Sequence, residues 1–215
     1  MTIGNIINAG LVAQWVIMAI LIILSIVLTR NFKEIPEGKQ NVAEAFVEFI
    51  AGLVEDNMGK EYIGFVPFIG TLFLFLLCLN LAGLFGIKPP TADYSVALGL
   101  GLVSFIVIQG YTIKKVGIKH YFLGFAQPYV FLLPVNIMER ISFPISLSLR
   151  LFGNMFAATI IMDLLYEALH HLGVVAQFGI PIPLHAYFDV FDGSLQMVIF
   201  IMLTMINIKL IAEHE

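Results

Sequence analysis

Three stretches of this chain contain no charged residue over the length that a helix needs to cross a lipid bilayer. They are residues 11–29, 65–87 and 94–112, and each ends within two residues of a Lys or Arg. The apolar core of a bilayer requires roughly 20 mostly apolar residues per helix. The sequence therefore predicts three transmembrane helices here.

The composition excludes a soluble globular domain. Of the 215 residues, 60% are hydrophobic and 12% are charged. In soluble domains about a quarter of all residues are charged. The net charge of -4 provides no basic surplus for binding nucleic acid. The single cysteine, Cys78, lies inside an apolar run and leaves no intramolecular disulfide to form.

Two further spans are predicted in the second half of the chain, at residues 141–163 and 183–208. We expect them to form a long, tilted helical hairpin with its turn around residues 173–183. The segment 121–138 is uncharged, but Gly124, Pro128 and Pro134 interrupt it. Because lipid cannot bond to a broken backbone, we expect this segment to be interfacial, tilted or re-entrant.

One more helix, outside the membrane spans, is predicted over residues 41–56. Its apolar residues Val42, Phe46, Phe49 and Leu53 recur at helical spacing. Such a helix lies along a membrane surface or against a partner. The predicted fold is therefore an all-α polytopic membrane protein, a single transmembrane domain over 1–215 with about five crossing helices plus interfacial or re-entrant helices.

The basic residues predict the orientation of the chain. They cluster after the first and third spans, whereas Lys88 is the only basic residue between the second and the third. Basic clusters favour the cytoplasmic side. With five crossings, the N-terminus is then outside and the C-terminus cytoplasmic.

Arg150 is the most informative residue, because it lies near the middle of the fourth predicted span. A cation there costs about 2.5 to 3.5 kcal/mol even on insertion scales. One interpretation is an internal ion pair with Asp163, Asp189 or Asp192 that holds the hairpin together. The other is a functional charge. At about 100° per residue, Asn154 shares the face of Arg150 and Asp163 does not.

The last predicted span carries its own polar residues. Asp189 and Gln196 are seven residues apart and share a face of a regular helix, and Asn207 is nearly aligned with them. Asp189 and Asp192 are three apart, a pair that suits proton exchange or cation collection. For Asp192 an ordinary solvated helix end is the alternative.

An arginine keeps its proton, so Arg150 can act only as a fixed charge. At about 4 Å it would attract a mobile carboxylate by roughly 4 kcal/mol at an effective dielectric constant near 20. It would also block the direct passage of a cation. This geometry predicts two half-channels on either side of the arginine.

The residues around Arg150 resemble the signature of subunit a of the F-type ATP synthase, of the bacterial type. The segment reads Ser-Leu-Ser-Leu-Arg-Leu-Phe-Gly-Asn-Met-Phe-Ala over residues 146–157. Supporting stretches are residues 67–73, 80–84, 90–93, 134–139 and 195–196.

The resemblance implies a stator subunit beside a rotating ring of c subunits, with b-type peripheral stalk subunits and the rest of the complex as further partners, in the plasma membrane. It implies that Arg150 is the essential arginine between an entry and an exit half-channel. It also implies that Asn154 and Gln196 line the ion path. Asp189 matches the position where relatives carry His, Glu or Asp in the channel open to the outside.

The chain departs from the family pattern at Thr159, where relatives usually carry Glu or His. Asp163 lies one turn further on and could serve instead. We therefore expect Asp163, Asp189 and Asp192 to form an outer vestibule.

Two other functional classes are disfavoured. A secondary transporter should show internal symmetry and paired broken helices, and a membrane hydrolase should show a metal motif or a nucleophile elbow; neither pattern is found in the sequence. A phosphate-binding glycine loop is also missing from it, so no direct nucleotide binding, enzymatic activity, cofactor or metal is expected of the chain on its own. The sequence leaves open whether the ion is a proton or sodium.

Overall fold

Six helices make up most of the computed structural model, which describes residues 9–30, 38–118, 121, 123, 129–170 and 179–214. Four are single helices: α1 (Ala9–Thr29), α2 (Lys39–Met58), α4 (Tyr94–Val116) and α5 (Leu133–His170). Helix α3 consists of a 3₁₀ turn (Lys60–Phe65), an α-helix (Val66–Asn80) and a second 3₁₀ turn (Leu81–Phe85). Helix α6 consists of an α-helical turn (Pro181–His185), a π-helical segment (Ala186–Asp192) and an α-helix (Gly193–His214). Short 3₁₀ turns at Pro90–Ala92 and Val130–Leu132 lie before α4 and α5.

Five of these helices, α1 and α3 to α6, are long and apolar enough to cross a membrane. Within the described residues there is no β-strand. The predicted fold class, an all-α membrane protein with about five crossings and a C-terminal helical hairpin, is therefore confirmed.

The expected boundary of the fourth span is wrong. Helix α5 begins at Leu133 and runs without a break to His170, so residues 133–138 are not part of a separate interfacial segment. Pro134 lies in the first helical turn, where a missing N–H costs nothing, and Pro144 is accommodated inside the helix. Residues 122 and 124–128 of the predicted segment lie outside the described residues.

The predicted turn of the hairpin, residues 173–183, extends too far at its C-terminal end. Its first part, residues 173–178, lies outside the described residues, but Pro181–His185 is already helical. The prolines stand in the first turn of α6, a position that tolerates them.

The core lies among α2, α3, α4, α5 and α6. Helix α4 packs against α5 and α6, and α3 packs against α6. Gly101 allows the close contact of α4 with α5, since a Cβ atom there would lie 2.9 Å from the carbonyl oxygen of Pro144. Helix α1 stays at the edge of the bundle and buries none of its most apolar stretch.

Helix α2 packs with only part of the face that its apolar pattern indicates. Phe46 and Leu53 of the predicted apolar stripe are partly buried against the core, whereas Val42 and Phe49 are 70% and 53% exposed. The fully buried apolar residues of the helix are Ile50, Val54 and Met58. The part of the stripe around Val42 and Phe49 is available to lipid or to another subunit.

Candidate functional site

Helix α5 has one face buried in the bundle and one face open, and Arg150 lies on the open face. Leu147, Leu151 and Met155 are buried because they recur every three to four residues on the side that faces α4 and α6. Arg150 and Asn154, one turn apart, are both exposed.

The residues beside Arg150 on this face are small. Ser146 lies about one turn before the arginine and Ala157 about two turns after it on the same face by helical geometry, and both are exposed. Small side chains let another helix approach closely in a membrane. The arginine therefore stands on a surface that can contact a second helix at short range.

Arg150 makes no hydrogen bond or ion pair with any residue that the structure describes. The aspartates that could have neutralised it have other partners: Asp163 pairs with Lys88 at 2.7 Å, and Asp189 pairs with His185 at 2.5 Å. The hairpin-holding ion pair considered from the sequence is therefore not formed by Asp163 or Asp189.

Asn154 connects the arginine face of α5 with α6. Its Nδ2 donates a hydrogen bond to Oε1 of Gln196 over 2.7 Å. Gln196 is 1% exposed, and its Nε2 has no hydrogen-bond partner among the described residues. A buried donor without a partner costs about 1 to 3 kcal/mol, and such groups often mark functional positions.

A cavity of about 730 Å³ opens between the end of α3, the C-terminal half of α5 and the start of α6. Three of its lining residues form a chain of hydrogen bonds. Tyr166 Oη lies 2.9 Å from His185 Nε2, and His185 Nδ1 lies 2.5 Å from Asp189 Oδ2. Asp189 is buried, whereas Tyr166 is exposed, so the chain leads from the cavity towards the helix interface.

Asp189 is held against α3 by a close contact. A Cβ atom on Gly83 would lie 2.6 Å from Asp189 Oδ1, so only glycine leaves room for this carboxylate. The carboxylate also lies in the π-helical segment Ala186–Asp192. Short π-helical segments inside α-helices frequently occur at functional sites.

A buried asparagine fixes α3 to α6 where the π-helical segment ends. Asn80 Nδ2 donates to the carbonyl oxygen of Gly193 over 2.9 Å, and Thr91 Oγ1 donates to Asn80 Oδ1 over 2.9 Å. Asn80 and Thr91 are fully buried. These bonds hold the backbone just beyond Asp189 in place.

The remaining predicted vestibule residues differ in position. Asp163 and Thr159 line the cavity with Asp189, and Asp163 forms an exposed ion pair with Lys88 at its rim. The Thr159 hydroxyl donates to the carbonyl oxygen of Met155 over 2.8 Å. Asp192 is half-buried and is not among the lining residues.

The π-helical segment changes the directions of the side chains at the start of α6, which the spacing of a regular helix does not describe. Its hydrogen bonds span five residues instead of four, so the 100° step of a regular helix does not apply between Asp189 and Asp192. Asn207, expected to continue a polar stripe, donates to the carbonyl oxygen of Leu203 in its own helix.

His185 and Tyr166 were not identified from the sequence. The four-residue spacing of His185 and Asp189 at the start of a helix was a readable signal, because such pairs share a face. The contribution of Tyr166 depends on the packing of α5 against α6, which no local pattern predicts.

A second polar cluster lies far along α5 from this cavity. Gln109 Oε1 accepts hydrogen bonds from Tyr121 Oη over 2.7 Å and from Arg140 Nη1 over 3.1 Å. The guanidinium of Arg140 lies 5.0 Å from the centre of the Tyr121 ring. This cluster joins α4, the short segment that follows it and α5.

The described residues contain no group of three or more His, Cys, Asp or Glu side chains arranged to hold a metal ion.

Comparison with known proteins gives consistent matches over nearly the whole chain. The model of the family described as ATP synthase A chain matches residues 11–209. The ATP synthase subunit a of Moorella thermoacetica is 37% identical over 199 residues, covering 92% of this chain and 88% of that protein. The sodium ion specific ATP synthase subunit a of Propionigenium modestum is 35% identical over 214 residues, covering 92% and 72%. The ATP synthase subunit a of Macrococcus caseolyticus is 36% identical over 200 residues, covering 87% and 83%.

Proposed function

This chain belongs to the ATP synthase A chain family, and from that premise we propose that it supplies the two ion half-channels and the essential arginine that couple ion flow to rotation and ATP synthesis. As a member with five helices of spanning length, it is a multi-pass subunit of the ATP synthase membrane sector. The proposal concerns what its residues do there.

The observation that carries the proposal is the position of Arg150. It is a permanent cation on an exposed, small-residue face of a spanning helix, and it has no partner within the described part of the chain. A charge in a membrane requires compensation. A carboxylate on a second subunit would provide it, and the small neighbours of Arg150 leave room for the helix that carries it.

The proposed partner is a ring of c subunits, each with a carboxyl group at membrane depth. At about 4 Å the arginine would favour the ionised carboxylate by roughly 4 kcal/mol at an effective dielectric constant near 20, close to a thousandfold shift in the protonation equilibrium. The carboxyl group would then release its ion at Arg150. The same charge would stop ions from crossing without turning the ring.

The cavity lined by Asp163 and Asp189 is the proposed outer half-channel. It opens between helix ends that carry ionisable groups, and Asp189 is buried at its inner wall. From there the contact of Gln196 with Asn154 leads to the face of Arg150. Asp192 is proposed only as an auxiliary charge at this end of α6, because it does not line the cavity.

The proposed setting is the plasma membrane, with the N-terminus outside and the C-terminus cytoplasmic. The support is the pair of basic clusters that follow the first and third spans. Besides the c ring, b-type peripheral stalk subunits and the remainder of the complex are proposed partners. The chain itself is proposed to bind no nucleotide, so its energy is drawn from the ion gradient, worth about 2.3 kcal/mol per charge per 100 mV.

The test is ATP synthesis by the complete complex in liposomes with Arg150→Ala in this subunit. We expect synthesis driven by an ion gradient to vanish, because the ring carboxylate would no longer be discharged. Arg30→Ala, at the exposed end of α1, removes the same charge elsewhere and should leave synthesis unchanged. Coupled synthesis retained by the Arg150 variant would refute the proposal.

A further inference from the structure

Resting on the half-channel proposed above, we propose that His185 passes protons between the outer cavity and Asp189, with Tyr166 as its positioning residue. The ion that enters from this side is then a proton.

The geometry places His185 between solvent and a buried carboxylate. Its side chain is 29% exposed and lines the cavity, whereas that of Asp189 is 9% exposed. Both ring nitrogens are engaged: Nε2 lies 2.9 Å from Tyr166 Oη and Nδ1 lies 2.5 Å from Asp189 Oδ2. Distances of this size allow direct proton transfer along the chain.

The transfer balances without any further reactant. A proton from cavity water bonds to Nε2 of the neutral ring, while the Tyr166 hydroxyl changes from donor to acceptor, as hydroxyl groups can. The imidazolium then releases its Nδ1 proton to Asp189 Oδ2, so an N–H bond breaks and an O–H bond forms. Once Asp189 passes this proton inward, the ring returns to its starting tautomer when cavity water takes the proton from Nε2 and supplies one to Nδ1.

Among the groups around His185, the imidazole is the one suited to take up and release the proton. Facing the cavity are Lys88, from the segment after α3, and Asp163, from α5, and these two neutralise each other. Thr159, also on α5, has no titratable group and bonds to its own backbone. Imidazole is the side chain whose charge ordinarily changes between about pH 5 and 8.

The same contacts disfavour a metal cation at this point. Hard cations require several oxygen ligands. Oδ2 of Asp189 is bonded to a ring nitrogen, and Oδ1 lies against Gly83. A proton needs only the hydrogen bonds that are already formed.

The experiment compares His185→Gln with His170→Gln in the complete complex, reconstituted in liposomes. His170 is an exposed histidine at the end of α5 that does not line the cavity. ATP synthesis is measured at constant total driving force while the pH on the outer side is varied between about 5 and 8, with and without sodium.

We expect the His185 variant to be slower than wild type by about tenfold or more near pH 8, because general acid catalysis is lost. The deficit should shrink as the outer pH falls, since abundant protons can reach Asp189 directly. The His170 variant should follow the wild-type profile. A merely structural role of His185 would lower the rate equally at every pH and would overturn the proposal.

Two further results would overturn it: a His185→Gln profile identical to that of His170→Gln, or a wild-type rate that follows sodium concentration and ignores outer pH. If these occur while Arg150→Ala still abolishes coupling, the half-channel proposal stands and only the role of His185 fails. If the His185 variant does not assemble, Tyr166→Phe carries the test. We expect a smaller deficit with the same pH dependence, and an unchanged profile would refute the proposal.

Discussion

Two arginines lie ten residues apart on α5, and they differ in their contacts with the rest of the chain. Arg140 bonds to Gln109 of α4 and lies over the ring of Tyr121. Arg150 has no such contact within the described residues and is exposed. A cation that its own chain satisfies stabilises helix packing, whereas one left without a partner at membrane depth is suited to act on another subunit.

The polar groups at the two ends of the bundle also differ, because those at one end bond mainly to each other and those at the other end line a cavity. Around Arg140, an amide and a phenol form a compact hydrogen-bonded cluster. Around Asp189, a histidine, a tyrosine and a carboxylate line an open cavity of about 730 Å³. Groups in the first arrangement hold helices together, and groups in the second can exchange protons with water.

The largest expected effect separates the two arginines. Arg150→Gln should abolish ATP-driven ion transport in the reconstituted complex, because no fixed charge would remain to discharge the ring. Arg140→Gln should retain transport and lower stability by about 1.5 to 3 kcal/mol, the usual value of a hydrogen bond to a charged group. Transport assays with thermal denaturation of the purified complex measure both. Equal loss of transport in the two variants would remove the distinction.

The next effect concerns the wall behind Asp189. In Gly83→Ala the new methyl carbon would lie 2.6 Å from Asp189 Oδ1, so the carboxylate must move. We expect ATP-driven transport to fall by about tenfold or more, since small displacements of reacting groups are costly.

The matched control for this change is Gly99→Ala, on α4, where an added Cβ would meet nothing within 4 Å. It should transport ions like wild type. Wild-type transport by the Gly83 variant would show that the position of Asp189 is not critical.

A smaller effect is expected at the rim of the cavity. Asp163→Asn leaves the charge of Lys88 unpaired at the mouth, where it would repel incoming cations and slow transport up to about fivefold, in line with the energy of an exposed ion pair. The double variant with Lys88→Gln should recover most of the rate.

Glu55→Gln provides the control, because it removes an exposed ion pair with Lys60 at 3.2 Å outside the cavity. Its transport should not change. If Asp163→Asn also transports at the wild-type rate, Asp163 has no part in the outer vestibule.

The smallest effect is expected in the second polar cluster, around Gln109. Tyr121→Phe removes the hydroxyl that donates to Gln109 and should cost about 1 kcal/mol of stability while transport continues. Tyr129→Phe, at a position that is 72% exposed, should leave the melting temperature unchanged. Impaired transport by the Tyr121 variant at full stability would indicate that the second polar cluster takes part in ion movement.

The spans were predictable because their signal is local. Uncharged runs of sufficient length identify α1, α3 and α4 with small errors at their ends. The start of α5 was misplaced because a proline was taken as a break, although at Pro134 it stands in a first turn that needs no donor. Arg150 could be identified from the sequence alone. A single cation in an apolar run has a high free-energy cost in a membrane, however the helix packs.

The set of residues that line the cavity was only partly predictable. Asp163, Asp189 and Asp192 were expected to share a vestibule. The first two line the cavity and Asp192 does not. The chain of His185 and Tyr166 was not foreseen, because it depends on which turn of α5 meets which turn of α6. The π-helical segment also changes the direction of the side chains within it, which regular helical spacing cannot represent.

The sequence by itself therefore determined that the chain has about five helices able to cross a membrane and that one arginine lies near the middle of such a helix, because run length and residue charge are properties of neighbouring residues. The tertiary structure alone decided that Arg150 is left without a partner in the described chain while Arg140 is bonded, and that His185 joins Asp189 to a cavity. These outcomes depend on contacts between residues distant along the chain, through the close approach of helices at Gly83, Gly101 and Gly193.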